Sequence, residues 1–189
     1  MSGSDDTTSE ILAGKLRALH EARAKAELVA ADRLSPGSDR VSVRGALLAE
    51  VAVVKGLPGP AEATGGSAMS GADGEALHKA LEALGWSSEG VFFTLSRLEP
   101  GVDRERASDR LRLQLESVDP LVIIALDSEA AADIAEAFGC EVPRPGRQLR
   151  VLGRRIVAVS GFEASLSDPK AKQRVWAELK HAKPEGPVY

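Results

Sequence analysis

A single cysteine in 189 residues, Cys140, excludes an internal disulfide and any zinc or iron–sulfur site that needs several thiolates. So few thiols fit a reducing compartment, and the expected address is cytoplasmic. Aromatics are also scarce, with four Phe, two Trp and one Tyr, and they do not interleave with basic residues as in a single-strand stacking platform. No apolar run approaches the roughly 18 residues of a spanning helix, so no membrane partner is expected. The opening MSGSDDTTSE is polar and acidic, unlike a secretory signal. His20, His78 and His181 stand apart, each in a helical stretch without a partner motif. No metal and no cofactor is therefore expected.

What is present is a hydrophobic fraction of 43%, enough for a core. The net charge of −4 conceals an asymmetry: residues 144–189 carry ten Lys/Arg against four acids, leaving −10 on the remainder. A basic end on an acidic body suits a phosphate backbone or an acidic partner, although a solvated surface has the same composition. Arg144, Arg147, Arg150, Arg154 and Arg155 are the densest part of that end and the candidate DNA contacts. Charge of this kind gives salt-dependent contact without sequence preference.

Residues 1–9 read as a disordered lead and 10–40 as an N-terminal helix with its linker. In that helix Ile11, Leu12, Leu16, Leu19, Ala22, Ala26 and Val29 recur at three and four residues. An α/β domain is expected over 41–183 and a frayed tail over 184–189. Four nearly continuous apolar runs, Val51–Val54, Val91–Thr94, Val122–Leu126 and Ile156–Val159, have the pattern of strands covered on both faces. Helical stretches alternate with them at Gly74–Leu84, Arg104–Ser117 and Glu129–Phe138. This alternation predicts a three-layer α/β/α fold around a mainly parallel four-stranded sheet. Gln148–Leu152 and Arg155–Val159 read as a hairpin with a tight turn. Asp168-Pro169 opens the last helix, with Asp as N-cap and Pro at the first helical position.

Sites in open α/β sheets lie beyond the carboxyl ends of the strands. The first such loop is Lys55-Gly56-Leu57-Pro58-Gly59, and Gly65, Gly66, Gly71 and Gly74 follow it. These glycines could bring amides to a phosphate, although the GxxxxGK[ST] spacing of a P-loop is absent. The later loops are Leu95-Ser96-Arg97, Asp127-Ser128 and Ser160-Gly161-Phe162-Glu163.

Taken in order, these loops resemble the uracil-DNA glycosylase superfamily, especially its bacterial iron–sulfur branch. The family's Gly-Glu-Ala-Pro-Gly loop corresponds to Lys55-Gly56-Leu57-Pro58-Gly59, and its next glycine-rich segment to Gly66 through Leu77. Its strand ending in Thr-Asn corresponds to Thr94-Leu95. Its Thr-x-His-Pro-Ser motif and Asp-Pro helix correspond to Val159–Glu163 and Asp168-Pro169. The resemblance implies the family's fold over about residues 45–180, but the catalytic set is missing. The motif carboxylate falls on Gly56, the stacking aromatic on Met69, the uracil-reading amide on Leu95 and the oxyanion-supporting His on Gly161. The cluster cysteines are absent too.

The expectation is a catalytically degenerate glycosylase-like protein that binds DNA or a replication or repair protein. The psi subunits of the bacterial clamp-loader complex, similar in fold and without glycosylase chemistry, are a precedent. The alternatives are a divergent active glycosylase and an unrelated α/β enzyme or small-ligand binder using loop 55–74. Substitute chemistry would fall to Lys55 as a Schiff-base amine or to Glu62 or Asp73 as a displaced carboxylate. Turn and surface roles explain the same residues.

Overall fold

The computed structural model describes residues 3–34 and 42–185. The chain begins with a long helix, α1 (Gly3–Asp32), and a two-residue strand, β1 (Arg44–Gly45). Strand β2 (Val51–Lys55) leads through the short α2 (Pro60–Ala63) to α3 (Ala72–Leu84) and β3 (Val91–Leu95). Then come α4 (Arg104–Val118), β4 (Val122–Ala125), α5 (Ser128–Phe138) and the hairpin β5 (Gln148–Val151) and β6 (Arg154–Ala158). A short α6 (Phe162–Ser165) and α7 (Pro169–Leu179) complete the order.

Among the described residues the sheet has six strands in the order β1-β3-β2-β4-β6-β5, two more than the expected four. Pairings β2–β3, β2–β4 and β4–β6 are parallel, while β1–β3 and β5–β6 at the edges are antiparallel. The additional strands are both at edges. Arg44-Gly45 has no hydrophobic pattern that could announce it, and β5 reads as a hairpin arm because it is half exposed. The hairpin turn is Leu152-Gly153, both at positive φ as a tight two-residue connection of opposed strands requires.

Strand alternation sends two sets of side chains to opposite faces. Val51, Val53, Phe93, Ile124 and Val157 pack with Leu77, Leu81, Val175 and Leu179 from α3 and α7. Ala52, Val54, Phe92, Ile123 and Ile156 pack with Leu111, Leu115 and Ile134 from α4 and α5. Helices thus cover both faces, which is why the strand sequences are apolar throughout. Helices α4, α5 and α7 are each started by an Asp: Asp103, Asp127 and Asp168 accept from the amides of Arg106, Ala130 and Lys170, whereas α3 starts after Gly71 without a side-chain cap.

Helix α1 starts at Gly3, so residues 3–9 are helical rather than a disordered lead. Its last turns dock on α4 through Ala24, Leu28 and Ala31, all buried. Arg110, 1% exposed, faces Asp32 at 3.3 Å and donates to the Leu95 carbonyl at 2.9 Å, tying α1 and α4 to the end of β3. The earlier apolar positions Ile11, Leu12, Leu16 and Leu19 face solvent. Residues 12, 16, 19 and 24, 28, 31 share the same spacing, but a twelve-residue offset rotates the second set by about 120°. Much of the linker, 35–41, and the end of the tail, 186–189, lie outside the described residues. Glu185 in the expected frayed tail is held by Arg150 and Arg155.

Candidate functional site

The parallel strands β2, β4 and β6 open their carboxyl ends onto one crevice of about 400 Å³. Leu57, Pro58, Leu126 and Phe162 make its apolar walls, and Lys55, Asp73, Asp127, Glu129 and Glu163 make its polar ones. Its position is the one expected for a site in an open α/β sheet.

Lys55, the last residue of β2, is buried at the floor among three carboxylates. Its Nζ lies 2.6 Å from Asp73, 3.0 Å from Glu163 and 3.6 Å from Glu62. Burial pulls the ammonium down, but its hydrogen bonds to Asp73 and Glu163 and the charges of Asp73 and Glu62 override it. Its pKa therefore lies above the ordinary lysine value. A Schiff-base lysine needs the opposite shift, so this geometry gives Lys55 no nucleophilic character at neutral pH. The ammonium also fills the space that a metal ion would need between these carboxylates. Among the described residues, no group of three or more His, Cys, Asp and Glu is arranged to hold a metal.

Glu62 and Asp73 are equally committed. Glu62 accepts from the amides of Gly59 at 2.9 Å and Met69 at 3.0 Å, fastening the first loop to the glycine-rich segment. Asp73 also accepts from the Gly74 amide at 2.9 Å. The amides of Gly65 and Gly66 donate to the carbonyls of Glu62 and Ala61. With the amides of Gly59, Gly65, Gly66 and Gly74 donating inside the protein, these glycines are not a phosphate cradle, and the surrounding carboxylates would repel one.

The four positions that the family resemblance singles out are not gathered around a pocket. A Cβ on Gly56 would lie 2.5 Å from Asp127 Oδ1 and 2.5 Å from the Glu129 Cβ, so the start of α5 already occupies that space. The Gly56 amide donates to Asp127 at 2.9 Å, sealing the approach. Met69 is completely buried in the core at φ 55°, and its carbonyl accepts from Arg44 at 3.0 Å. A Cβ at Gly74 would come within 1.9 Å of that carbonyl, which fixes glycine there. Leu95 is buried as well. Only Gly161, at φ 94°, lines the crevice.

Asp127 reads in the sequence as a helix cap, and it is one, accepting from Ala130 at 2.8 Å. Its second role, clamping Gly56 across 71 residues, had no local signal. Burial, and to a smaller extent the charge of Glu129, push its carboxyl above the ordinary value against its two backbone hydrogen bonds and Lys55. A second polar knot lies behind the crevice. Asp133, wholly buried, accepts from Ser96 Oγ at 2.6 Å and from Arg97 Nε at 2.9 Å and Nη2 at 2.7 Å. That knot fixes the loop after β3 against α5.

The basic residues divide. Arg144, Arg147 and Arg150 are exposed, whereas Arg155 is buried with its Nη1 3.0 Å from Glu185 and its Nη2 2.5 Å from the Lys183 carbonyl. Arg150 opposes Arg155 across the hairpin and shares Glu185. Arg154 pairs with Asp119 at 2.5 Å and lies over Phe138. Two of the five candidates are thus built into the fold, and Arg150 is partly neutralised.

Neither His78 nor Cys140 lines the crevice. His78 lies 2.8 Å from Arg44 and against Phe93, and burial followed by the Arg44 charge lowers its pKa. Burial and Glu141 push the Cys140 thiol up, away from a reactive thiolate. Comparison with protein-family models and with curated proteins finds no match for this chain.

Proposed function

We propose that this chain is a uracil-DNA glycosylase-like protein, three-layered around a mainly parallel centre, that has lost base excision and serves as a binding module in DNA repair or replication. The observation that carries this reading is Gly56. The resemblance puts the family's carboxylate there, and Asp127 and Glu129 stand within 2.5 Å of any side chain at that position. Excision requires extruding a base, stacking it, reading its edge and stabilising charge on the breaking glycosidic bond. Met69 and Leu95, at the stacking and reading positions, are sealed in the core and offer neither a π face nor an amide.

The test is incubation with uracil-containing single- and double-stranded oligonucleotides, followed by alkali. No strand cleavage is expected, and cleavage above the protein-free control would overturn the reading. One observation favours a second reading, a divergent glycosylase. Asp127 borders the crevice with a raised pKa, as a displaced acid would. In that case cleavage would be present and Asp127→Asn would remove it.

The carboxylates around the crevice make it a poor seat for a phosphate backbone. DNA contact, if part of the function, falls to Arg144, Arg147 and Arg150 on the hairpin side. Alanine at all three should then weaken oligonucleotide binding and flatten its salt dependence.

A further inference from the structure

A second cavity, of about 380 Å³, lies on the other side of Phe162, between α3 and the α6–α7 segment. Its floor is apolar: Phe162, Val175 and Leu179 are buried core residues, and Ala76, Ala80, Leu166 and Trp176 are only partly covered. Two lysines, Lys79 from α3 and Lys172 from α7, stand at its rim, and both are exposed. Lys180 completes the edge, with its Nζ 5.9 Å from the Trp176 ring.

Lys79 and Lys172 are the charged groups that line this face. On α7, Lys170 and Arg174 lie two residues to either side of Lys172, about 200° around the helix, and do not line the groove. The one acid of that helix, Glu178, is buried and accepts from the Ser160 amide at 2.8 Å and hydroxyl at 3.0 Å. Lys79 has Glu75 and Glu82 near it in sequence. Yet among the described residues none of Lys79, Lys170, Lys172 and Arg174 enters an ion pair. In a chain of net charge −4, an apolar groove framed by unpaired cations is a specific feature.

We propose that the α3–α7 groove is a docking site for a segment of a partner protein that carries bulky apolar side chains flanked by Asp or Glu. The apolar anchor fills the cavity against Trp176 and Val175, and its flanking carboxylates meet Lys79 and Lys172. Buried apolar contact at the centre with charge complementarity at the rim is how such surfaces gain both affinity and partner choice. A nucleic acid would use the cations but leave the apolar cavity empty. This assignment rests on the binding-module reading and names the partner's chemistry.

The test is selection of a random dodecapeptide display library on the full chain. The enriched peptides are then synthesised, and binding is followed by fluorescence anisotropy. Enrichment of sequences with Leu, Ile, Phe or Trp between acidic residues is expected. Lys79→Glu together with Lys172→Glu should weaken their binding by about tenfold or more, with unchanged thermal unfolding. Occlusion by Ala80→Phe should weaken it without altering charge. The proposal is overturned if no peptide is enriched, if enriched peptides lack acidic residues, or if they bind the double variant equally well. It is also overturned if the charge reversal abolishes oligonucleotide binding or self-association while no peptide is recovered. Uracil release in the excision assay would instead remove the underlying reading, whatever the library yields.

Discussion

Replacing Lys55 by Met keeps an unbranched side chain one atom shorter and removes its charge from between Asp73 at 2.6 Å, Glu163 at 3.0 Å and Glu62 at 3.6 Å. Glu163 is 52% exposed, so water screens it and its share is small. Asp73 and Glu62 are buried, and removing the cation leaves their charges without compensation. Breaking a buried ion pair from one side costs about 3–5 kcal/mol. For a chain of this size that corresponds to a fall of roughly 10 °C in Tm. The assay is urea unfolding of both proteins followed by circular dichroism, repeated across pH. Because the folded pKa of Lys55 is raised, its contribution is complete below the unfolded value of about 10.4 and is lost as pH rises through the folded value. The Lys55→Met deficit should therefore be full at pH 7–9 and shrink above about pH 10.4. Adding Asp73→Asn to Lys55→Met should recover about 1–2 kcal/mol. A deficit under about 1 kcal/mol at neutral pH, typical of a surface pair, would refute the buried-cluster argument.

Gly56→Asp forces a side chain to within 2.5 Å of Asp127 and Glu129 and should cost about 2–4 kcal/mol in urea unfolding. It should restore no excision; wild-type stability in this variant would show that the position is open after all. Asp32→Ala deprives the buried Arg110 of its charge partner while leaving its bond to Leu95, and a loss of about 1–3 kcal/mol is expected. Amide exchange across α1 should accelerate in the same variant, and unchanged protection there would contradict the docking. The lowered pKa of His78 means that the unfolded chain binds its proton first, so this residue removes stability as pH falls below about 6.5. His78→Gln should flatten the stability profile between neutral and acid pH, and an identical profile would contradict the assignment.

The central strands were legible because burial on both faces forces apolar residues at every position, as in Val51–Val54 and Val122–Ala125. The caps at Asp127 and Asp168 were equally clear, because an N-cap depends only on the next few residues, and Asp103 caps α4 in the same way. Strand β1 left no trace, since two residues, one of them glycine, cannot carry a periodic pattern. The stripe on α1 was visible, but which stripe docks depends on α4, and the smaller set Ala24, Leu28 and Ala31 takes that place. Arg155 looked like a surface cation because its partners, Glu185 and the Lys183 carbonyl, lie about thirty residues away in sequence. The loops that line the crevice were legible as strand ends, but the same distance blindness hid the ion cluster at its floor. Lys55, Asp73 and Glu163 meet only after β2 and the loop beyond β6 are brought side by side. Asp127 showed its capping role and concealed its hold on Gly56.

The most direct measurement is quantification of free uracil released from a uracil-containing single strand by a large molar excess of the protein over a long incubation. The account predicts release indistinguishable from the protein-free control, for the wild type and for Asp127→Asn alike. Time-dependent uracil release that disappears with Asp127→Asn would contradict it.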